Sequence, residues 1–239
     1  MIRIENISKT YGGGVKAVNG ITLEIPAGKI FGFIGPNGAG KTTTIRMITG
    51  ILPIDSGSIQ VNGADIAREP MRAKKMMGYV SDDPNIFERL KGLEYLNFMA
   101  DIYGVPSKER MDRIASLAGD FEMSHALDDK IQSYSHGMRQ KIVVMGVLIH
   151  QPEVWILDEP LTGLDPKSSF KLKERMRKHA DEGRTVMFST HVLDVAEKVC
   201  DMIAVISKGK ILFCGTMEEM KKTKENKSLE NIFLEMTEE

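Results

Sequence analysis

The chain has 239 residues, its 32 basic side chains nearly balance its 33 acidic ones, and its formal net charge is −1. This length allows one large domain with a substantial apolar core, whereas the balanced charge argues against nucleic acid as a partner and against a polybasic membrane patch. The two cysteines suggest no disulfide framework, so a reducing compartment is expected, and the longest apolar run, residues 142–149, is far shorter than the roughly 20 residues of a membrane-spanning helix.

The first 84 residues have the pattern of short strands separated by turns rich in Gly, Asn and Pro. Alternating or continuous apolar runs predict strands at residues 2–7, 17–25, 29–34, 58–61 and 77–80. A single helix is predicted in this half, beginning at Thr42 and ending before Pro53, because apolar residues between them recur at helical spacing. This half is therefore predicted to be mainly β-structure.

A glycine-rich loop joins the strand at residues 29–34 to this helix. It comprises Gly35, Pro36, Asn37, Gly38, Ala39, Gly40, Lys41 and Thr42, and Thr43 in the following helix is also expected to bind the nucleotide. Its glycines let backbone N–H groups approach phosphate oxygens, and the helix that follows points its positive end at the same anion. Lys41 is expected to contact the β- and γ-phosphates, and the Thr42 hydroxyl to bind magnesium. The predicted ligand is a nucleoside triphosphate with Mg²⁺; the alternative is a glycine turn between two core elements.

Helical spacing of apolar residues over residues 85–150 predicts a helical insertion. From residue 154 onward, strands and helices alternate, which is typical of a parallel sheet with helices on both faces. The predicted strands lie at 154–158, 185–189 and 202–206, and the predicted helices at 167–181 and 192–199. A hairpin of residues 204–207 and 211–214 precedes a tail, residues 216–239, in which one or two short helices are predicted.

A run of apolar residues, 154–157, is followed directly by Asp158 and Glu159. Parallel sheets bind ligands just beyond the carboxyl ends of their strands, which is where the glycine-rich loop also lies. Asp158 is therefore expected to bind Mg²⁺ through water, and Glu159 to orient or deprotonate an attacking water. The alternative is a polar strand end before a turn at Pro160, and the phosphate loop makes it the weaker interpretation.

These motifs, in this order along the chain, resemble those of the ATP-binding subunit of ABC transporters, and the resemblance covers essentially all of the sequence. Tyr11 matches the aromatic residue that stacks on adenine in that family. Residues 135–140 occupy the place of the family signature, residues 161–165 match its D-loop, and His191 matches its switch histidine. With the phosphate loop and the acidic strand, six elements agree, which is far more specific than any one of them.

The resemblance implies an α/β fold, with a P-loop NTPase core built on a parallel sheet, an antiparallel β subdomain and an inserted α-helical subdomain. Residues 1–239 would form a single ABC ATPase domain. Residues 1–84 and 151–215 would form the nucleotide-binding core with the β subdomain, residues from about 85 to 150 the helical subdomain, and residues 216–239 a C-terminal tail.

The signature also has a physical interpretation of its own. Ser135 and Gly137, at the start of a predicted helix, form an N-cap with free N–H groups, which makes a second anion-binding site. A single ATP cannot easily occupy both this site and the phosphate loop of the same chain. In the family, the signature of one subunit closes over the ATP held by the other, so the resemblance implies an ATP-driven, head-to-tail dimer.

The chain departs from the family pattern at two places. The signature reads Tyr-Ser-His-Gly-Met in place of Leu-Ser-Gly-Gly-Gln, and its His136 could add a donor near the γ-phosphate or point to solvent. Asp82 stands where the family has a glutamine that senses magnesium and touches the membrane partner. A carboxylate can bind Mg²⁺ but cannot donate a hydrogen bond as an amide does. Asp82 is therefore expected to join Thr42 and Asp158 in the metal site.

The resemblance implies Mg²⁺-dependent hydrolysis of ATP to ADP and phosphate, with Lys41, Glu159 and His191 as catalytic residues. A second nucleotide-binding subunit, identical or different, would complete the dimer. A separate membrane permease would dock near residues 82–89 and the helical insertion, which would hold the chain at the cytoplasmic face of the membrane.

The direction of transport is also suggested by resemblance. The form of the signature and residues 228–237 of the tail are similar to the branch of the family that exports drugs, antibiotics, lipids or polysaccharides. The alternatives are a soluble ABC ATPase that is not linked to transport and a non-catalytic nucleotide-binding regulator.

Overall fold

The computed structural model describes residues 1–222 and 229–238. The strands are Ile2–Thr10 (β1), Lys16–Ile25 (β2), Ile30–Ile34 (β3), Ser56–Val61 (β4), Ala64–Asp65 (β5), Met77–Val80 (β6), Val154–Leu157 (β7), Thr185–Thr190 (β8), Met202–Ser207 (β9) and Lys210–Gly215 (β10). The α-helices are Lys41–Ile48 (α1), Pro70–Met76 (α2), Gly92–Ile102 (α3), Ser107–Asp120 (α4), His136–Leu148 (α5), Pro166–Asp181 (α6), Leu193–Val199 (α7), Met217–Lys222 (α8) and Leu229–Glu238 (α9).

The larger of two sheets has the strand order β10-β9-β3-β8-β7-β6. Strand β10 is antiparallel to β9, and all other neighbours are parallel. Every residue of β3, β7 and β8 is buried. Strands covered on both faces are continuous apolar runs rather than alternating ones, which explains the sequences of β3 and β7. The loops that follow these three strands lie at one edge of the sheet.

The smaller sheet is antiparallel, with the order β2-β1-β4-β5. In β1, Ile2, Ile4 and Ile7 are buried and the residues between them are exposed. Because Ile4 and Ile7 are separated by two residues rather than one, the pairing with β2 shifts register there, and Asn6 takes a positive φ of 48°. This bulge keeps all three isoleucines on the inward face of the sheet.

Apolar clusters cover both faces of the larger sheet. The cluster we call the helical-side core joins Trp155 and Phe188 of the sheet to Tyr95 of α3 and to α4 and α5. The cluster on the opposite face joins Phe33 to α1 and to the smaller sheet, including Ile4. Each large apolar side chain that is fully buried contributes about 1.5–3 kcal/mol. The helices of the insertion therefore share one core with the sheet.

Two predictions about the first half of the chain are wrong, although the other predicted strands and helices are present with ends that differ by a few residues. This half has a second helix, α2. Only Ala73 of α2 is buried, so no apolar periodicity reveals the helix, although Pro70 at its first position is a common start signal. The helix after the phosphate loop ends earlier than predicted, at Ile48, because Gly50 follows with a φ of +66°, which glycine favours.

The tail, predicted to hold one or two short helices, has α8 and α9 in its described part, whereas residues 223–228 and 239 lie outside the described residues. Met220 of α8 and Ile232 of α9 are buried in a small cluster with Ile203 of β9. The tail therefore packs onto the larger sheet. Across residues 1–222 and 229–238, the helices are too short or too polar to cross a membrane.

Candidate nucleotide-binding site

Three loops meet where β3, β8 and β7 end side by side. The phosphate loop follows β3, His191 follows β8, and Asp158 with Glu159 follows β7. The N–H of Gly35 donates to the carbonyl of Thr190 at 3.4 Å, which ties the start of the phosphate loop to the end of β8. The topology therefore brings together residues that are more than a hundred positions apart in sequence.

Two glycines of the phosphate loop, Gly35 and Gly40, leave no room for a side chain. A Cβ added to Gly35 would lie 2.3 Å from the carbonyl oxygen of Ile206, and one added to Gly40 would lie 2.5 Å from that of Ala17. Gly40 also has a φ of +108°, in the left-handed region that side chains disfavour. The first turn of α1, directly after Gly40, presents N–H groups that have no acceptor within the helix. The loop can therefore surround an anion with donors.

Lys41 lies at the centre of the site. Its side chain is only 7% exposed, and its ammonium donates to the carbonyls of Gly35 at 2.7 Å and Pro36 at 3.2 Å. The same Nζ lies 3.4 Å from Oε1 of Glu159. A positive charge is therefore held between the phosphate loop and the acidic residues after β7.

Asp158 has a carboxylate oxygen that lacks a partner. The side chain is fully buried, and its Oδ1 accepts a hydrogen bond from the Ser189 hydroxyl at 2.5 Å. Its Oδ2 is buried without a hydrogen-bond partner in the described part of the chain. Burial raises the pKa of Asp158, while the hydrogen bond from Ser189 and the neighbouring Thr42 hydroxyl oppose that rise. A buried oxygen of this kind beside a threonine hydroxyl fits Mg²⁺, which prefers hard oxygen ligands.

Asp82 and Tyr79 lie near this carboxylate. Asp82 is exposed, and its negative charge adds to the effect of burial in raising the pKa of Asp158. The Tyr79 hydroxyl is buried, and burial together with the charges of Asp158 and Asp82 raises the pKa of Tyr79 to about 12. Tyr79 was not among the predicted site residues, because one tyrosine in a strand carries no motif. Tyr79 lies on the Asp158 side of the site as a neutral phenol.

Glu159 is fixed by its backbone and by its side chain. Its φ is +48°, a conformation that is strained for a residue with a side chain. Its N–H donates to the Ser189 hydroxyl at 2.9 Å, and its Oε2 lies 3.1 Å from Nδ1 of His191. The structure therefore brings Glu159, His191 and Lys41 together.

Tyr11 lies beside the phosphate loop and is 41% exposed. Its hydroxyl lies 3.5 Å from the Thr43 hydroxyl in the first turn of α1. Its backbone closes a turn with Val15, in which the N–H of Tyr11 donates to the Val15 carbonyl at 2.9 Å. An exposed aromatic ring is thus held next to the loop that would carry the phosphates.

The signature residues belong to a separate surface of the same chain. Ser135 caps α5 by accepting a hydrogen bond from the N–H of Met138 at 3.3 Å. Within the described ranges, no hydrogen bond or ion pair joins Ser135 or Gly137 to the phosphate loop. His136 is exposed, and its ring lies against Gly163, since a Cβ added to Gly163 would be 2.6 Å from the ring. His136 therefore contacts the D-loop of its own chain.

Known proteins are similar to this chain in sequence and in architecture. The sequence profile of the family described as "ABC transporter" matches residues 18–162. The linearmycin resistance ATP-binding protein LnrL of Bacillus subtilis (strain 168) is 36% identical over 92% of this chain and 70% of its own length. The daunorubicin/doxorubicin resistance ATP-binding protein DrrA of Streptomyces peucetius is 36% identical over 92% of this chain and 66% of its own length.

A solved structure described as the ATP-binding subunit of an ABC transporter superposes with a TM-score of 0.93. It is 29% identical in sequence and covers 99% of both chains. The α/β fold, with its parallel sheet, antiparallel sheet and inserted helices, is thus that of ABC ATPases. The chain therefore belongs to the ABC transporter family, as one of its ATP-binding subunits.

Proposed function

We propose that the chain hydrolyses ATP to ADP and phosphate and thereby drives export through a separate membrane permease. The observation that carries the enzymatic part is the position of the Glu159 carboxylate, 3.4 Å from the Lys41 ammonium and 3.1 Å from His191. A base held between these two groups, next to the phosphate loop, is what hydrolysis of a γ-phosphate requires.

The phosphate loop and Lys41 would hold the phosphates. Lys41 donates to two loop carbonyls and would exchange them for phosphate oxygens, so its charge would stabilise the transferring phosphoryl group. Thr42, Asp158 and Asp82 would hold Mg²⁺, which neutralises phosphate charge when it is bound. The buried, unpartnered Oδ2 of Asp158 supports this assignment.

Glu159 would act on the attacking water. As the water oxygen bonds to the γ-phosphorus, its proton moves to the Glu159 carboxylate. The bond between the γ-phosphorus and the bridging oxygen breaks, and its electron pair leaves with ADP. His191 would keep the carboxylate in place and face the γ-phosphate.

Tyr11, Ser135 and Gly137 would complete the nucleotide site. The exposed ring of Tyr11 is proposed to stack on adenine, which fits its place beside Thr43. Ser135 and Gly137 lie on another surface and are proposed to close over the ATP of a second subunit. The N-terminus of α5, capped by Ser135, offers N–H groups to the γ-phosphate there.

An exposed aromatic patch supports permease docking near residues 82–89. The ring of Phe87 lies 5.3 Å from that of Phe98 and 5.5 Å from that of Tyr95, and both phenylalanines are exposed. Exposed aromatic residues of this kind mark protein interfaces. Docking to a permease there would hold the chain at the cytoplasmic face of the membrane. The direction of transport is supported by a separate observation, since LnrL and DrrA are both named as resistance proteins, which favours export.

The predicted division of the chain is part of this proposal. Residues 1–84 and 151–215 would act as the nucleotide-binding core, residues 85–150 as the helical subdomain, and residues 216–239 as the tail. A soluble ABC ATPase that is not linked to transport is not favoured by the similarity to transporter subunits.

The variant Glu159→Gln tests the enzymatic part. It should lower the ATPase rate by about 100-fold or more, because the base is lost, while ATP binding is kept. With ATP and Mg²⁺ it should elute from a sizing column as a dimer. The control Glu174→Gln changes an exposed carboxylate on α6 and should keep the wild-type rate. Unchanged turnover in Glu159→Gln would show that the base is another group.

A further inference from the structure

Arg139 of α5 connects two segments that are far apart in the sequence. Its side chain is 22% exposed, and its guanidinium donates to Oδ1 of Asn85 at 2.6 Å and to the carbonyl of Gln132 at 3.0 Å. It also forms an ion pair with Glu88 at 3.1 Å. One side chain thus holds the turn before α5 against residues 82–89, which we call the docking segment because a permease is proposed to bind there.

A backbone hydrogen bond adds to this connection. The N–H of Gln132 donates to the carbonyl of Glu88 at 2.9 Å. Ser135, which caps α5, lies between Gln132 and Arg139 in the sequence. Both ends of the turn that carries Ser135 are therefore bonded to the docking segment, so a shift of that segment would move the N-terminus of α5.

The other end of the docking segment lies at the proposed metal site. Val80 ends β6, and its carbonyl accepts a hydrogen bond from the N–H of Asp158 at 2.9 Å. Asp82 follows two residues later, and its charge contributes to the raised pKa of Asp158. Phe87, near the far end, has a φ of +49°, which a residue with a side chain adopts only at a cost. The docking segment therefore runs from the nucleotide site of the chain to its signature surface.

We propose that Arg139 is a positioning residue that couples the docking segment to the signature surface, so that the N-terminus of α5 moves with the docking segment. This inference rests on the proposed function, in which a permease binds the docking segment and Ser135 acts on the ATP of a second subunit. Coupling between two binding events is reciprocal, so ATP-driven dimerisation should in turn order the docking segment. The chain without a permease can therefore report the coupling.

Hydrogen exchange followed by mass spectrometry tests this coupling. In Glu159→Gln with saturating ATP and Mg²⁺, where a dimer is expected, exchange of the docking segment should slow about tenfold relative to the same protein with ADP. The double variant Glu159→Gln/Arg139→Gln should still form the dimer, because Ser135 remains in place as the cap. Exchange of its docking segment should nevertheless change by less than about twofold, since the side chain that joins the two segments is lost.

Arg110→Gln in the same Glu159→Gln background is the matched control. Arg110 also donates to three acceptors, which lie on α3 and in the turn after it: Asp101 at 2.6 Å, the carbonyl of Val105 at 3.2 Å and Asn97 at 3.4 Å. This variant therefore removes a comparable set of hydrogen bonds from the helical insertion. It should keep the ATP-dependent slowing of exchange in the docking segment.

The outcomes separate the coupling from the proposed function. A dimer of Glu159→Gln without slowed exchange would overturn the coupling alone, and so would equal slowing in the Arg139→Gln and Arg110→Gln variants. Loss of the dimer in the Arg139→Gln variant alone would also overturn it, because Arg139 would then act on the dimer interface itself. If Glu159→Gln forms no dimer with ATP, the proposed function is contradicted and the coupling falls with it.

Discussion

Ser189 joins the two acidic residues that follow β7. Its hydroxyl donates to Asp158 at 2.5 Å and accepts from the N–H of Glu159 at 2.9 Å. One hydroxyl thus holds the proposed metal ligand and the backbone of the proposed base. The sequence did not predict this role, because a serine within a buried strand carries no motif and depends on the pairing of β8 with β7.

We expect Ser189→Ala to lower the ATPase rate about tenfold, the cost of one positioning hydrogen bond to a charged group. The hydrogen bond from Ser189 lowers the pKa of Asp158, so its loss raises that pKa further. The acid limb of the pH–rate profile should therefore move to higher pH. Steady-state kinetics over a pH series measures both effects. The exposed Ser107→Ala serves as control, and a wild-type profile in Ser189→Ala would contradict the assignment.

His150 makes the stability of the chain sensitive to acid. Its ring stacks on Tyr103 at 3.6 Å, and burial lowers its pKa from 6.5 to about 4. The unfolded chain therefore takes up this proton first as the pH falls. The free energy of unfolding should therefore decrease as the pH falls from about 6.5 to about 4. His150 alone contributes up to about 1.4 kcal/mol of this decrease per pH unit.

The variant His150→Phe keeps a stacking ring but removes the titration, so we expect a shallower decline of stability over that pH range. The pKa of His179 is also lowered to about 4, so part of the pH dependence of the free energy of unfolding should persist in His150→Phe. Urea unfolding at a series of pH values measures the free energy of unfolding. The control His125→Phe replaces a histidine that is exposed on the surface. An unchanged slope in His150→Phe would mean that other groups cause the acid sensitivity.

At the scale of elements, the N-terminus of α5 has both a structural and a proposed catalytic role. Ser135→Ala removes the N-cap and should cost about 1 kcal/mol of stability. It should also abolish the ATP-dependent dimer if α5 closes over the nucleotide of a second subunit. Thr216→Ala removes a comparable cap, since Thr216 accepts from the N–H of Glu219 at the start of α8. Thermal melts and sizing with ATP should show similar destabilisation in both variants and dimer loss only in Ser135→Ala.

The strands and long helices could be predicted because their burial leaves a direct pattern in the sequence. Strands β3 and β7 are covered on both faces and are continuous apolar runs, and α6 begins where Asp165 precedes Pro166. Helix α2 could not be predicted, since only Ala73 is buried. Residues of the candidate site could be recognised where they are consecutive in the sequence, as in the phosphate loop. The contacts of Glu159 with Lys41 and His191 depend on three separate strands, so only the fold reveals their distances.

For the whole molecule, the shared helical-side core predicts cooperative unfolding. Tyr95 of α3 and Trp155 of β7 belong to the same cluster, so neither the insertion nor the sheet can lose its packing alone. We expect a single transition in calorimetry, with equal calorimetric and van't Hoff enthalpies. Hydrogen exchange should protect α5 and β7 to the same degree. Two separate transitions would show that the helical insertion unfolds independently.

The close contact of α3 with α5 restricts how such chains can be recombined. A Cβ at Gly146 would lie 2.6 Å from the ring of Tyr95, so the two helices touch through a residue with no side chain. In a chimera that takes its helical insertion from a relative, the core side chains of the inserted helices come from one protein and those of the sheet from another. Its success will depend on whether the donor helices match Trp155 and Phe188 of the recipient sheet, more than on where the splice points fall.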